Sequence, residues 1–335
     1  MFGTFRYVLA ALVMVSHLWP AWMHWAGAYA VFAFFLISGY LITLALHHSY
    51  GLSADGCARF VANRCLRIFP PYLVVVFFSG LLLWYMPDIA QAFSPRFHLP
   101  TDVLGWAHNV FLFGLQNEPA HIVPAAWSLE IEMAFYLLMA AVLIRYRLIT
   151  LLWFGSSVAL AAIAVAYNYP FEQRYYPLAA ASLPFSLGAL LAIYRTDQMP
   201  SVLKTSLAAL CFFLNVLAAN LTAEPFGAPF YLSLALATYL LIQLAAFDKA
   251  DMPTWIAAFD GWCGHLSYPV FLLQWPAACA VLALSGWDSL AQNGAYLFFA
   301  SFILANLGAF ILHLSIEQPI AVWRQRIKTK SERLN

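Results

Sequence analysis

Two stretches of the chain, Tyr72–Met86 and Leu148–Tyr167, are apolar on every side of any regular element they could form. They do not alternate, so they cannot be the strands of a membrane barrel, which set apolar against polar residues. A backbone that crosses hydrocarbon must satisfy its own hydrogen bonds, and with barrel strands excluded the helix remains. Hydrophobic residues make up 64% of the 335 residues and charged residues 9%, where a soluble domain carries about 25% charge. A soluble fold this apolar could not cover its surface, whereas hydrocarbon needs no cover. The chain therefore reads as an all-α, polytopic membrane protein, a bundle of about ten transmembrane helices.

Net charge is +1, which argues against nucleic acid as a partner. The five cysteines (Cys57, Cys65, Cys211, Cys263, Cys279) are scattered without CxxC spacing, so neither a metal site nor a disulfide framework is expected. The first apolar stretch runs past twenty residues with no small-residue cleavage pattern. It reads as a span and not as a cleavable signal peptide.

Helices are expected near 5–25, 28–48, 68–87, 127–145, 148–168, 174–194, 204–221, 229–247, 264–285 and 293–315. The connection 88–123 holds a short apolar piece, Val103–Leu115, too short to span and fit for a re-entrant or interfacial position. Positive charge sets the orientation. With the N-terminus inside, inner segments carry Arg6, then Arg59, Arg64 and Arg67, then Arg145 and Arg147, then Arg195 and Lys204, then Lys249. A tail with Arg324, Arg326, Lys328, Lys330 and Arg333 follows, while outer segments carry Arg96 and Arg174. Both termini are thus expected in the cytoplasm, with residues 1–320 as a single membrane domain and 321–335 as a short basic tail. No internal repeat is evident, which counts against many transporter folds.

Ionisable residues inside spans are costly and mark function. His17 lies eleven residues after Arg6, about three turns on, so the two share a helix face roughly 16 Å apart. Arg6 is expected at the inner mouth and His17 midway across, beside a helix weakened by Pro20. Interhelical glue is the bland alternative for His17. Arg64 and Arg67 precede Pro70 and Pro71, which fit a first helical turn or the turn before it. With Arg59 they either hold topology or clamp phosphate, for which guanidinium forks are suited. In WSLEIEMAFYL, Ser128, Glu132 and Tyr136 step by four and stack on one face, with Glu130 pointing away. A first-turn carboxylate also favours the helix dipole, so a site role for Glu132 stands beside that structural one. Ser38 and Gly39 are small enough to admit another helix, with site lining as the alternative. Glu317 is placed near the inner surface, within reach of an inner arginine.

Taken together these pieces resemble acyltransferase family 3, the integral membrane O-acyltransferases that modify bacterial glycans and lipid-linked acceptors. The matching residues are Arg6 and His17 with ten residues between them, FFLISGYL (Phe34–Leu41), Arg64-x-x-Arg67, Trp127–Leu137, HLSYPVFLLQ (His265–Gln274) and Glu317-x-Pro319. They span nearly the whole chain in order. One departure concerns Gln274, where family members often carry histidine; glutamine hydrogen-bonds but cannot shuttle a proton. The hydrolase-like extracytoplasmic domain of some members has no counterpart here, so the membrane core is expected to do the work.

The resemblance implies that the chain moves an acyl group, in the first instance acetyl, from acyl-CoA to a hydroxyl of an envelope glycan or lipid-linked sugar. Acyl-CoA is then a co-substrate and no cofactor is tightly bound. Arg6, Arg64 and Arg67 would bind its phosphates, and His17 would act as general base or acyl carrier. Glu132 would orient the acceptor or His17, or assist proton transfer. Ser38, Trp127, Ser128 and Tyr136 are the substrate-side candidates. The location implied is the bacterial inner membrane, with lipid as a partner. A transporter or flippase for a lipid-linked saccharide is the competing reading from another class.

Overall fold

A computed structural model describes residues 1–195, 198–222, 224–248, 252–285 and 293–332. Lys249 and Arg333, and the side chains of Lys328 and Lys330, lie outside the described residues. Among those described, every regular element is helical. Helix α1 is Phe2–Leu18, α2 Ala26–Ala45, α3 Ala54–Tyr85 and α4 Val103–Phe111. Then follow α5 Trp127–Leu138, α6 Arg147–Ala166, α7 Leu178–Ile193, α8 Val202–Ala219 and α9 Ala228–Ala245. The chain closes with α10 Thr254–Ser285, α11 Gly294–Leu312 and α12 Gln318–Glu332. Nine of the described helical segments are long and apolar enough to cross a membrane. The 17-residue α1 is shorter, at roughly 26 Å, and sits at the low end of the spanning range. The protein is a multi-pass helical bundle of the expected class.

The first span departs from expectation at its end. It stops at Leu18, because Pro20 has no N–H and turns Trp19 out of the helix (φ −135°, ψ 58°). The third span departs at its beginning. Helix α3 starts at Ala54, capped by Ser53 Oγ accepting from Gly56 N at 3.1 Å. It runs 32 residues straight through Pro70 and Pro71. Those prolines are therefore interior, not in the first turn. They withdraw the donors that would bond the carbonyls of Leu66 and Arg67, and burial of the surrounding turns holds the helix together regardless. Arg59, Arg64 and Arg67 are thus carried on a rigid rod. Helix α10 likewise starts ten residues earlier than expected and contains Pro269 and Pro276.

The packing of α1, α2, α7 and α10 positions the site. Asp260 of α10 caps α1 from outside, accepting from Thr4 N at 2.8 Å and Thr4 Oγ1 at 3.0 Å. Helices α2 and α7 touch backbone to backbone. A Cβ on Gly39 would sit 2.2 Å from the Phe185 carbonyl oxygen, and one on Gly188 2.1 Å from that of Leu36. The small residues expected to admit a helix do so at Gly39. The neighbouring Ser38, turned about 100° further round the helix, is left to face the interior.

The short piece Val103–Leu115 does not span; its helical part is the nine residues of α4. Asn109, fully buried, ties this region together by donating to the carbonyls of Gly105 and Ala120 and accepting from Ile122 N. The start of α1 and the start of α12 line one cavity at the same end of the bundle. There Asn63 Nδ2 donates to the Arg324 carbonyl and Arg324 Nε donates back to Asn63 Oδ1.

Candidate active site

Four cavities lie in a row through the bundle, each sharing lining residues with the next. The first is a vestibule of about 560 Å³ between α1, α3, α10 and α12, lined by Arg6, Arg67 and Arg324 among others. It leads through Arg6, Arg67, Leu41 and Tyr268 to a waist of two small spaces of about 30 and 40 Å³, each roomy enough for about two or three waters. Arg6, Ser38, Glu132 and Tyr268 line both of them. Val31, Ser128 and Phe271 connect the waist to a chamber of about 190 Å³ lined by His17. A further cavity of about 480 Å³ around Arg195 shares no lining residue with this row.

The arginine end sets three arginines against two acids, Asp260 and Glu317, in the vestibule lining. None of Arg6, Arg64 and Arg67 makes an ion pair within 4 Å among the described residues, where the pairs are Asp55–Arg59, Asp260 with the N-terminus, His108–Glu118 and His313–Glu317. Arg6 and Arg67 line both vestibule and waist, but Arg64 lines only the waist. Its guanidinium stacks on Phe60 at 5.0 Å and Tyr136 at 5.4 Å. The wide cavity takes Arg324 in its place. That residue was hidden in the sequence among tail charges that look alike. Glu317 is also differently partnered: it pairs with His313 one turn back, Nδ1 to Oε2 at 2.8 Å, because the π turn His313–Glu317 sets the two side chains together.

Glu132 sits in the waist. Its Oε1 accepts from Ser38 Oγ at 2.8 Å and from Tyr136 Oη at 2.5 Å. The spacing of four that put Glu132 and Tyr136 on one face is realised in that second bond. Ser128 lies on the same face between waist and chamber, its hydroxyl turned to the Ala125 carbonyl at 3.0 Å. Glu130 points away and holds the loop before α5, accepting from Gly114 N at 2.7 Å and Gln116 N at 3.2 Å.

His17 is placed differently from the sequence expectation. It lies in the last turn of α1, exposed to the far chamber, not midway. Ending α1 at Leu18 is what brings it to the mouth. Glu132, expected toward the outer side, lies instead between the arginines and His17. Glu132 does not contact His17. The partner of His17 is Gln274, with Nδ1 2.9 Å from Oε1. The ring also lies against Trp275, centroids 5.1 Å apart.

The chamber walls are aromatic. Trp127 meets Tyr175 and Tyr176 edge-on at 5.2 and 4.9 Å, and Trp25, Phe171 and Phe271 add further rings, with His24 and the small side chains of Ser16, Ala28 and Ser128 between them. The sequence singled out Trp127 but not its partners, since tryptophan and tyrosine at span ends also serve as interface anchors. All five cysteines are free, and among the described residues no group of three metal-ligating side chains converges.

Comparison with known proteins fits this geometry. A phage O-acetyl transferase, from Shigella phage Sf6, is 25% identical over 233 residues, covering 62% of this chain and 67% of its own. An uncharacterised protein of Haemophilus influenzae is 28% identical over 220 residues, covering 54% of this chain and 85% of its own. No solved structure matches. The acyltransferase domain of family 3 matches residues 3–314, a range that takes in every helix lining the cavity row except α12, and the chain belongs to that family of acyltransferases.

Proposed function

We propose that the protein transfers an acyl group, acetyl in the simplest case, from acyl-CoA to a hydroxyl of an envelope glycan or lipid-linked sugar. The observation that carries this reading is the row of cavities with guanidinium groups that make no ion pair among the described residues at one end and a histidine at the other. Arg6, Arg67 and Arg324 suit the phosphates of a CoA thioester. The waist lies on the line between the two ends, and side chains such as Ser38 and Tyr268 that line it would have to move apart to pass a pantetheine arm. The roughly 16 Å from Arg6 to His17 sets how far the thioester reaches from its phosphates. The aromatic chamber suits the apolar face of a sugar ring, with its hydroxyls presented to His17 and His24. The Sf6 relative, by name an O-acetyl transferase, supports oxygen as the acceptor atom.

His17 then removes the proton of the acceptor hydroxyl as its oxygen attacks the thioester carbon. The carbon–sulfur bond breaks, and the imidazolium returns its proton to the sulfur. Glu132 does not act on His17. It holds Ser38 and Tyr136 along the path, and its negative charge balances the arginines without neutralising them. With the arginine end in the cytoplasm, as the positive-inside rule requires, the donor enters from inside and the acceptor chamber opens on the opposite side of the bacterial inner membrane.

The test uses the full-length protein in nanodiscs with radiolabelled acetyl-CoA and an envelope glycan fraction. Acceptor-dependent loss of the thioester, with label in the glycan, supports the reading. An intact thioester with saccharide crossing a vesicle membrane would instead establish transport.

A further inference from the structure

Gln274 is fully buried in α10, and its two amide atoms have distinguishable partners. Nε2 donates to the Phe271 carbonyl at 2.8 Å. A carbonyl only accepts, so this atom must be the NH₂ end of the amide. Oε1 is then the atom 2.9 Å from His17 Nδ1. An amide oxygen also only accepts, so Nδ1 must carry the hydrogen. Flipping the amide would forfeit the Phe271 bond and set two oxygens face to face. A neutral imidazole with its hydrogen on Nδ1 has its lone pair on Nε2. The ring is braced by Trp275, which rests on Phe93 and Phe97 at 5.1 and 5.9 Å.

We propose that Gln274 is a positioning residue that locks His17 in the Nδ1–H tautomer and so makes Nε2 the nitrogen that takes the acceptor's proton. The inference rests on the reading of His17 as the base. In the step, the acceptor O–H bond breaks and its proton goes to Nε2. The oxygen's electron pair forms the new bond to the acyl carbon. The C–S pair leaves on sulfur, which then takes the proton from Nε2, and His17 ends neutral. Throughout, Nδ1–H stays bonded to an amide that can neither accept the proton nor give one. The base is thereby confined to Nε2, the nitrogen turned away from Gln274.

The experiment compares Gln274→Met, which keeps volume but removes the acceptor, with Gln274→Glu, which restores one. The Met variant is expected to lose about 10- to 1,000-fold in kcat with KM for acetyl-CoA unchanged, and the Glu variant to recover to within about tenfold. A purely packing role would spare the Met variant. Independently of activity, ¹⁵N-histidine spectra of the protein in bilayers, with the His17 signal identified by its loss in His17→Ala, read the tautomer. Hydrogen on Nδ1 with a bare Nε2 is expected in the wild type, and a growing Nε2–H population in the Met variant. Wild-type kcat in the Met variant, or Nε2–H in the wild type, overturns the inference. If His17→Ala itself keeps full transfer, the functional reading falls, whatever tautomer the spectra report.

Discussion

The two ends of the cavity row are built from different chemistry. The arginine end draws Arg6, Arg67 and Arg324 from three separate helices into a space of about 560 Å³, and the first two make no ion pair among the described residues. The histidine end encloses about 190 Å³ with aromatic rings and carries histidines as its titratable bases. One end sets arginines around a wide space, the other sets aromatic rings and histidines around a smaller one. Between them lie two spaces of about 30 and 40 Å³. Under the proposed function, donor and acceptor would be recognised separately and meet at His17, so damage to one end should leave binding at the other intact.

The largest break should come from His17→Ala. Transfer is expected to fall about 100- to 10,000-fold, with acetyl-CoA affinity by calorimetry unchanged. Loss of donor binding in that variant would show that the ends are not separate. Next, Ser38→Leu fills the waist between the two ends. A thioester held short of His17 should cost about 100-fold in transfer, with both substrates still binding. Arg67→Ala and Arg324→Ala should each weaken donor binding about 10- to 100-fold, the worth of a charge-assisted hydrogen bond, and flatten its dependence on salt. Acceptor KM should not move. Trp127→Ala should do the reverse, raising acceptor KM about 2- to 10-fold with donor affinity intact.

The smallest effect concerns the loop behind the histidine end. His121 is 2% exposed and donates Nε2–H to the Leu115 carbonyl at 2.9 Å. Burial pushes its pKa below the ordinary 6.5. The unfolded loop therefore binds the proton more readily than the folded one. The stabilising effect of a neutral His121 is complete above 6.5 and declines as pH falls below it toward the lowered native value. Amide exchange across 96–122, corrected for its intrinsic pH dependence, should quicken at pH 5 relative to pH 7. The arginine end should be unaffected, and His121→Gln should flatten the response. Equal loosening at both ends would contradict the separation.

The helices themselves were legible because hydrophobicity is additive along a segment. Residues such as those of Leu148–Tyr167 need no partner to announce a span, and Gly39 announced a close helix approach by its size alone. Boundaries were less legible where prolines stood. Pro20 ended a helix and Pro70 and Pro71 did not, although each removes the same donor. What differs is the packing around them, which is set by helices distant in sequence. The site shows the same limit. The spacing of four gave the Tyr136–Glu132 bond, since that contact lies within one helix. Arg324 could not be told from other tail charges, because its place depends on Asn63, 261 residues away. The partner of His17 comes from a helix 257 residues on.

By itself, then, the sequence determined the solvent: an apolar helical bundle with a few polar exceptions, Arg6, His17, Arg64, Arg67 and Glu132 among them. Each of these facts is local, a matter of residue type and of neighbours within a few turns. Only the tertiary structure decided their order along the path, with Glu132 in the waist, His17 at the far mouth and Gln274 as its partner. That order is a property of helices packed side by side. Two positions on different helices come together through crossing geometry and register, which no single segment encodes.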